Sequence, residues 1–439
     1  MIALDQITQD IIERLRGAGA DKAYCTAATS VTREFNVDGG QFSLMRTLFD
    51  NSLSLTGIVG GKKGSVGINK FDDAAVSQAV ADCMASANSA EEDAAWDLAP
   101  EGGTRTFTQG VLEADEDRLF DRTAELMEQI SKRFPKILVE QMIVSHVRSH
   151  SVYRNTNGAF YTKDAGYYNV DLMFSGHDGE AASSFFGTGA ITDSLDRPFM
   201  ELGSIERDLA DVEKQIYTKS VGEKFTGVLL LPPGCLGSFL GDIADNFASD
   251  GPVLEGTSIW RDRLGEQVAD RRITISFAPG AKEIVCGQSY TGEGFLAEDF
   301  DFIREGKLES FLVSLYVSNK TGVPRAKNSG GSMIMHPGDR SLQEIIASID
   351  KGILVGRFSG GQPGTNGDFS GVAKNSFLIE NGKITDAVSE TMISGNLADM
   401  LQNVVAISRE TVAEGIAATR WPARLEWHEN ILLDGGHNA

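Results

Sequence analysis

Glycine falls at short intervals along this sequence, 48 of 439 residues or about 11% against an average near 7%, with no collagen-like period. At that density glycine supplies the positive-φ backbone of many tight turns, so the chain must reverse direction often, and a β-rich fold is expected. The turn signals sit where hairpins need them. Asp38-Gly39-Gly40 and Gly61-Lys62-Lys63-Gly64 punctuate a region of short strands between Ala23 and Asp72. Asn155-Thr156-Asn157-Gly158 separates an extended run, Lys136 to Val152, from a return strand at Phe160 to Phe174. Residues 88–112, acidic and small, read as a loop, and 175–200 are rich in glycine and serine.

Helical periodicity interrupts this pattern. Ile7, Ile11, Ile12 and Leu15 share one face of a helix over Asp5 to Gly17. Val76, Ala79, Val80 and Cys83 do so near Asp72 to Ala87, as do Leu119, Phe120, Leu126, Met127 and Ile130 over Asp115 to Arg133. A charged helix at about Ile205 to Ser220 precedes a buried-looking strand, Gly227 to Leu231, and a helix from Leu236. Another helix is expected at about Leu397 to Ile407. The chain therefore reads as a two-lobed α+β protein, long enough for a large core, with an N-terminal α/β domain over 1–215 and a β-rich domain over 216–439.

Sixty-two acidic residues against 40 basic ones leave a formal charge of −22. Such a field repels phosphate backbones, and no basic stripe overrides it, so neither direct nucleic-acid binding nor docking on an anionic membrane is expected. The start, Met1 to Asp5, lacks the cationic lead and apolar core of a signal peptide, and no apolar run reaches membrane-span length. Cys25, Cys83, Cys235 and Cys286 are scattered with no Cys-x-x-Cys spacing, which suits a reducing compartment. A cytoplasmic location is expected.

Candidate chemistry is sparse. His146 and His150 have the spacing of a helical zinc pair but lie in a strand-like run. Four strand residues span roughly 13 Å, whereas one zinc needs ligands at about 2.1 Å, so the pair reads as two polar residues on a solvated face. His177, His336, His428 and His437 are isolated and read as surface or loop residues. Cys235, at a helix start, has the position of an activated thiol, but with no histidine near it in sequence it reads as a small buried hydrophobe. The glycine run Gly356 to Gly371 lacks the Lys-Ser/Thr ending of a phosphate loop and reads as turns and glycine-rich strands.

One ordered set of motifs adds to this. Lys351-Gly352-Ile353-Leu354-Val355, Asn366-Gly367-Asp368-Phe369-Ser370-Gly371, Ile379-Glu380-Asn381-Gly382-Lys383 and Ser394-Gly395-Asn396-Leu397-Ala398-Asp399-Met400-Leu401 follow one another over some fifty residues. The string resembles the C-terminal signature of the TldD/PmbA family, and weaker likeness extends over nearly the whole chain. The resemblance implies large curved, mainly antiparallel sheets with flanking helices around a cleft, and dimerisation. In the TldD branch, the helix after the first strand of the C-terminal domain carries His-Glu-x-x-x-His. Its histidines hold a metal, its glutamate activates water, and a later cysteine completes the site.

Laid on this sequence, that motif falls on Gly241-Asp242-Ile243-Ala244-Asp245-Asn246. Gly241 and Asn246 replace the histidines and Asp242 the glutamate. Glycine cannot ligate, and an amide is a poor zinc ligand beside imidazole or thiolate. The packing stripe of the same helix, Leu236, Phe239, Leu240, Ile243, Ala244 and Phe247, is intact. The chain thus resembles the PmbA (TldE) branch, with no catalytic or metal-ligating residue and no cofactor expected. The resemblance implies a non-catalytic subunit of a peptide-maturing or proteolytic system, paired with a metal-bearing TldD-like sibling or with itself and handling extended peptides. The rivals are a homodimeric peptide-binding or modulatory protein, and a peptidase with an unrecognised site. The name "modulator of DNA gyrase", attached to the family, gains no support from a chain this acidic.

Overall fold

A computed structural model describes residues 4–361, 363–413, 418–419 and 423–425. The N-terminal half runs α1 (Leu4–Gly17), β1 (Lys22–Asp38), β2 (Gln41–Val59), β3 (Lys62–Ile68), α2 (Asp73–Ser89), β4 (Gly103–Gly110), α3 (Glu116–Arg133), β5 (Ile137–Asn155), β6 (Ala159–Asp178), β7 (Ala181–Ala182), β8 (Phe186–Thr192) and α4 (Ile205–Lys214). Its strands form one eight-stranded, curled sheet in the order β3-β2-β1-β5-β6-β4, with β7 and β8 also on β6. All pairs are antiparallel except β4 with β6.

Four of these strands run 17 to 20 residues, beyond the usual 3–10. Alternate residues show why the sheet curls. Cys25, Ala27, Phe35 and Val37 of β1 share one face. The first two pack under α1 and α2, the last two under α3 and α4. The β5–β6 reversal is built by Asn155, whose Oδ1 accepts from the backbone of Asn157 at 3.0 Å and Ala159 at 2.9 Å.

The C-terminal half begins after residues 215–227 with β9 (Val228–Leu230), α5 (Pro233–Phe247) and α6 (Asp250–Glu255). It continues through β10 (Ile275–Phe277), β11 (Phe300–Arg304), β12 (Lys307–Leu308), α7 (Leu315–Thr321), β13 (Met333–Met335) and α8 (Leu342–Ala347). The remainder is β14 (Lys351–Leu354), β15 (Arg357–Ser359), β16 (Asp368–Lys374), β17 (Ser376–Glu380), β18 (Lys383–Val388), β19 (Thr391–Asn396), α9 (Leu397–Gln402), β20 (Val404–Ile407), β21 (Ala418–Thr419) and β22 (Ala423–Leu425). Three sheets, ordered β12-β11-β10-β13-β21, β18-β17-β14-β9-β22-β20 and β15-β16-β19, surround one apolar core that takes in the buried side of α5. This is the α+β class with curved, mainly antiparallel sheets. Among the described residues no helix is long and apolar enough to cross a membrane.

Several expectations need correction. The loop expected over 88–112 contains β4, whose residues alternate between exposed and half-buried without an apolar run. Between Ala23 and Asp72 the strands are long, and the second hairpin turns at Gly60 and Gly61, both at positive φ, rather than over 61–64. The helix after Ser204 stops at Lys214, and α5 starts at Pro233, where proline fits the first helical position. Leu397 to Ile407 divides into α9 and β20 around Asn403. Phe120 lies outside the buried stripe of α3 and stacks on Phe42 of β2, ring centres 4.8 Å apart.

Candidate functional site

The motif-bearing helix α5 starts where Pro232, extended, hands over to Pro233. Its stripe, Leu236, Phe239, Leu240, Ile243, Ala244 and Phe247, is fully buried as the spacing predicts. Phe239 meets the edge of Phe369, centroids 5.4 Å apart, and Phe247 packs on Trp260 at 5.0 Å. The three degenerate positions lie off this stripe. At Gly241 an added Cβ would meet open space. Asp242 is half-buried, and burial raises its carboxyl pKa, with Asp245 adding repulsion. The Asn246 amide donates to the Asp242 carbonyl at 2.9 Å, within the helix's own backbone.

These side chains do not fit the metal of the TldD motif. Glycine has no ligating atom, and Asn246 offers only an amide oxygen, a poor zinc ligand beside imidazole or thiolate. Among the described residues no group of three or more His, Cys, Asp and Glu is placed to hold an ion.

The other candidates stay apart. His146 and His150 do lie on one strand, but the solvated-face reading fails for His146, which is fully buried. Its Nε2 is 2.7 Å from the Val111 carbonyl, and its ring lies against Tyr168. His150 pairs with Asp164 at 3.0 Å, His177 lies 2.9 Å from Ser175 Oγ, and His336 lies 2.8 Å from Ser276 Oγ. His428 and His437 lie outside the described residues. Cys235 is buried, which pushes its thiol up to about 12, so the helix start does not yield a thiolate at neutral pH. The glycine run serves close approach between strands. A Cβ at Gly361 would fall 1.5 Å from the Ser370 carbonyl, and one at Gly371 would strike the Phe358 ring.

Sequence reasoning missed one feature beside α5. A cavity of about 330 Å³ opens between the two halves of the chain. Its walls are β8, α4, the first turn of α5 and the chain around Arg357 and Asn375.

Comparison with known proteins gives a consistent picture. Residues 226–424 match the PmbA/TldA metallopeptidase C-terminal domain. Over 386 residues the chain is 26% identical to a metalloprotease PmbA homologue of Haemophilus influenzae, covering 82% of this chain and 81% of that one. It is 29% identical over 180 residues to the metalloprotease PmbA of Escherichia coli, 40% of this chain and 39% of that protein. Among solved structures, TldE from Thermococcus kodakarensis superposes with a TM-score of 0.83 at 19% identity, over 98% of this chain and 100% of that one. A candidate modulator of DNA gyrase from Bacteroides thetaiotaomicron gives 0.83 at 20%, over 98% of each chain. At such identities these two superpositions speak to the fold alone.

Proposed function

The chain belongs to the TldD/PmbA family, and from that premise we propose that it is a non-catalytic subunit of a metallopeptidase assembly acting on extended peptides. The observation that carries this reading is the separation of packing from chemistry on α5. The stripe that holds the helix in the core is complete, while the positions that would ligate a metal are Gly241, Asp242 and Asn246. A peptidase scaffold without ligands relies on another chain for hydrolysis.

The N-terminal sheet supports the partner half of the reading. Among the described residues, β2 pairs with β1 alone from Gln41 to Ser52, because β3 joins it only from Leu53 onward. That free edge carries Leu44, Met45 and Phe49 at 47, 63 and 75% exposure. A long edge with unpaired amides and exposed apolar side chains is a surface another chain can complete. The same edge favours a second reading, since two copies can pair antiparallel about a two-fold axis to give a homodimeric peptide-binding protein.

The test is to express the chain with and without a metal-bearing sibling from the same genome and to assay unstructured peptides. Cleavage requires both chains and vanishes with a chelator. The complex survives gel filtration through an interface of roughly 1,200–2,000 Å² or more. A sibling fully active alone that never co-elutes with this chain would transfer the assignment to the homodimer.

A further inference from the structure

We infer that the cavity between the two halves of the chain is a binding site for the α-carboxylate of a small ligand that also presents an N–H, as the last residue of a short peptide does. The inference needs no partner chain and stands whether or not the subunit reading holds. Its volume of about 330 Å³ falls at the lower end of small-molecule sites, about 300–1,000 Å³.

Arg357 supplies the charge. Its guanidinium lies over the Phe185 ring, 4.8 Å from the centroid, and its Nε is buried with no hydrogen-bond partner among the described residues. Among the described residues it forms no ion pair. Glu390, whose charge acts on the guanidinium, is itself bonded to Lys374 at 2.9 Å and to Ser184 Oγ at 3.2 Å. A partly desolvated guanidinium without a carboxylate is costly, and an incoming carboxylate relieves that cost.

Two further groups point to a ligand independently. Ser204 occupies the N-cap position of α4 yet does not cap it, and its Oγ is buried, at 6% exposure, without a partner among the described residues. Serine at that position ordinarily bonds its own helix, so the hydroxyl is left for the cavity it lines. Asn375, at 7% exposure and in a left-handed conformation at φ +48°, lines the same cavity, and no described residue bonds its Oδ1. A non-glycine residue held in that conformation is a cost the fold tolerates for a reason. The amide oxygen accepts, so the ligand must donate.

The first turn of α5 forms another wall, has no side-chain cap and brings helix N–H groups to the anion. The acidic residues on the wall are already engaged. Asp208 accepts from Thr188 at 2.7 Å and from Arg207 at 2.8 Å, and Asp211 pairs with Lys214 at 3.0 Å. Arg357 is therefore the cation on the wall that forms no ion pair among the described residues.

The test is calorimetric titration of the full chain with N-acetyl-alanyl-leucine, the same dipeptide as its C-terminal amide, free leucine and inorganic phosphate. The free-acid dipeptide binds, the amide binds at least tenfold more weakly, and Arg357→Gln loses tenfold or more for the free acid. Ser204→Ala and Asn375→Gly, each a milder change, weaken binding several-fold and keep the inference testable should Arg357→Gln fail to fold. Binding of free leucine in place of the dipeptide supports the carboxylate site and assigns it to amino acids. Equal binding of acid and amide, phosphate binding as tight as the dipeptide's, or a folded Arg357→Gln with wild-type affinity overturns it.

Discussion

The Asn396 amide donates to Asp368 Oδ1 at 2.9 Å across the first pair of β16 and β19, while its Oδ1 accepts from the backbone of Ala398 at 2.9 Å and Asp399 at 3.2 Å. One side chain thus ties a strand end to a helix start. The same amide reaches the Asn366 carbonyl at 2.9 Å, so the glycine-rich connection is fixed by it too. Much of the C-terminal signature is architectural in this chain. Asn396→Ala is expected to cost about 1–3 kcal/mol in urea unfolding. Asn396→Asp, which caps helices equally well, is expected to be nearly as damaging because it faces Asp368 and has no amide hydrogens to give. Wild-type stability in Asn396→Asp would reduce the residue to a simple cap.

On α5, Leu240→Asp or Phe247→Asp places a charge in the buried stripe and is expected to unfold the C-terminal half, at a cost of several kcal/mol. Asp242→Asn should do the reverse. Burial, then Asp245, raises the Asp242 carboxyl, so the folded protein favours its protonated form. That contribution is complete below the ordinary carboxylate range and is lost as pH rises through the raised value. Melting temperatures of wild type and Asp242→Asn should agree in acid and separate above that range, with the variant higher. Parallel curves at every pH would show that Asp242 does not titrate differently in the folded state.

Elemental analysis of the purified chain is expected to show no stoichiometric zinc. Gly241→His with Asp242→Glu and Asn246→His should fold, since the Cβ at position 241 enters open space. It should still cleave peptides poorly, because the third ligand and its supporting hydrogen bonds are not rebuilt. Strong, chelator-sensitive cleavage by this triple variant would show a ligand shell that the described residues do not reveal.

Leu44→Lys with Phe49→Lys on the free edge of β2 should leave stability within about 0.5 kcal/mol, as surface changes do. The double variant is expected to elute from gel filtration without its partner chain or its second copy. Unchanged co-elution would move the docking surface elsewhere.

The sequence was most informative where one element buries one face. α1, α2, α3 and α5 are readable from their stripes, and the β5–β6 turn from Asn155 to Gly158. It was least informative where partners are distant. β4 becomes a strand only because β6, more than fifty residues on, offers it a parallel edge. The first half of β2 faces solvent on both sides and so lacks the alternation that marks a strand. At the site, the resemblance places Gly241 and Asn246 where the TldD motif has histidines, and that much is legible in the sequence. The cavity is not, because Ser204, Arg357 and Asn375 come from separate elements and carry no common spacing.

The two halves also meet through rings. Tyr153 and Tyr161 of the long hairpin stack 5.6 Å apart, and Tyr290 from the C-terminal half lies 5.3 and 5.1 Å from them, with the Tyr161 hydroxyl donating to the Gly294 carbonyl at 3.0 Å. Such contacts are short-ranged, each aromatic pair adding about 0.5–1.5 kcal/mol beyond its area. Turning one half on the other has to part Tyr290 from both hairpin rings together. In mechanical terms the joint is a detent, stiff against small rotations and abrupt in release, rather than a spring.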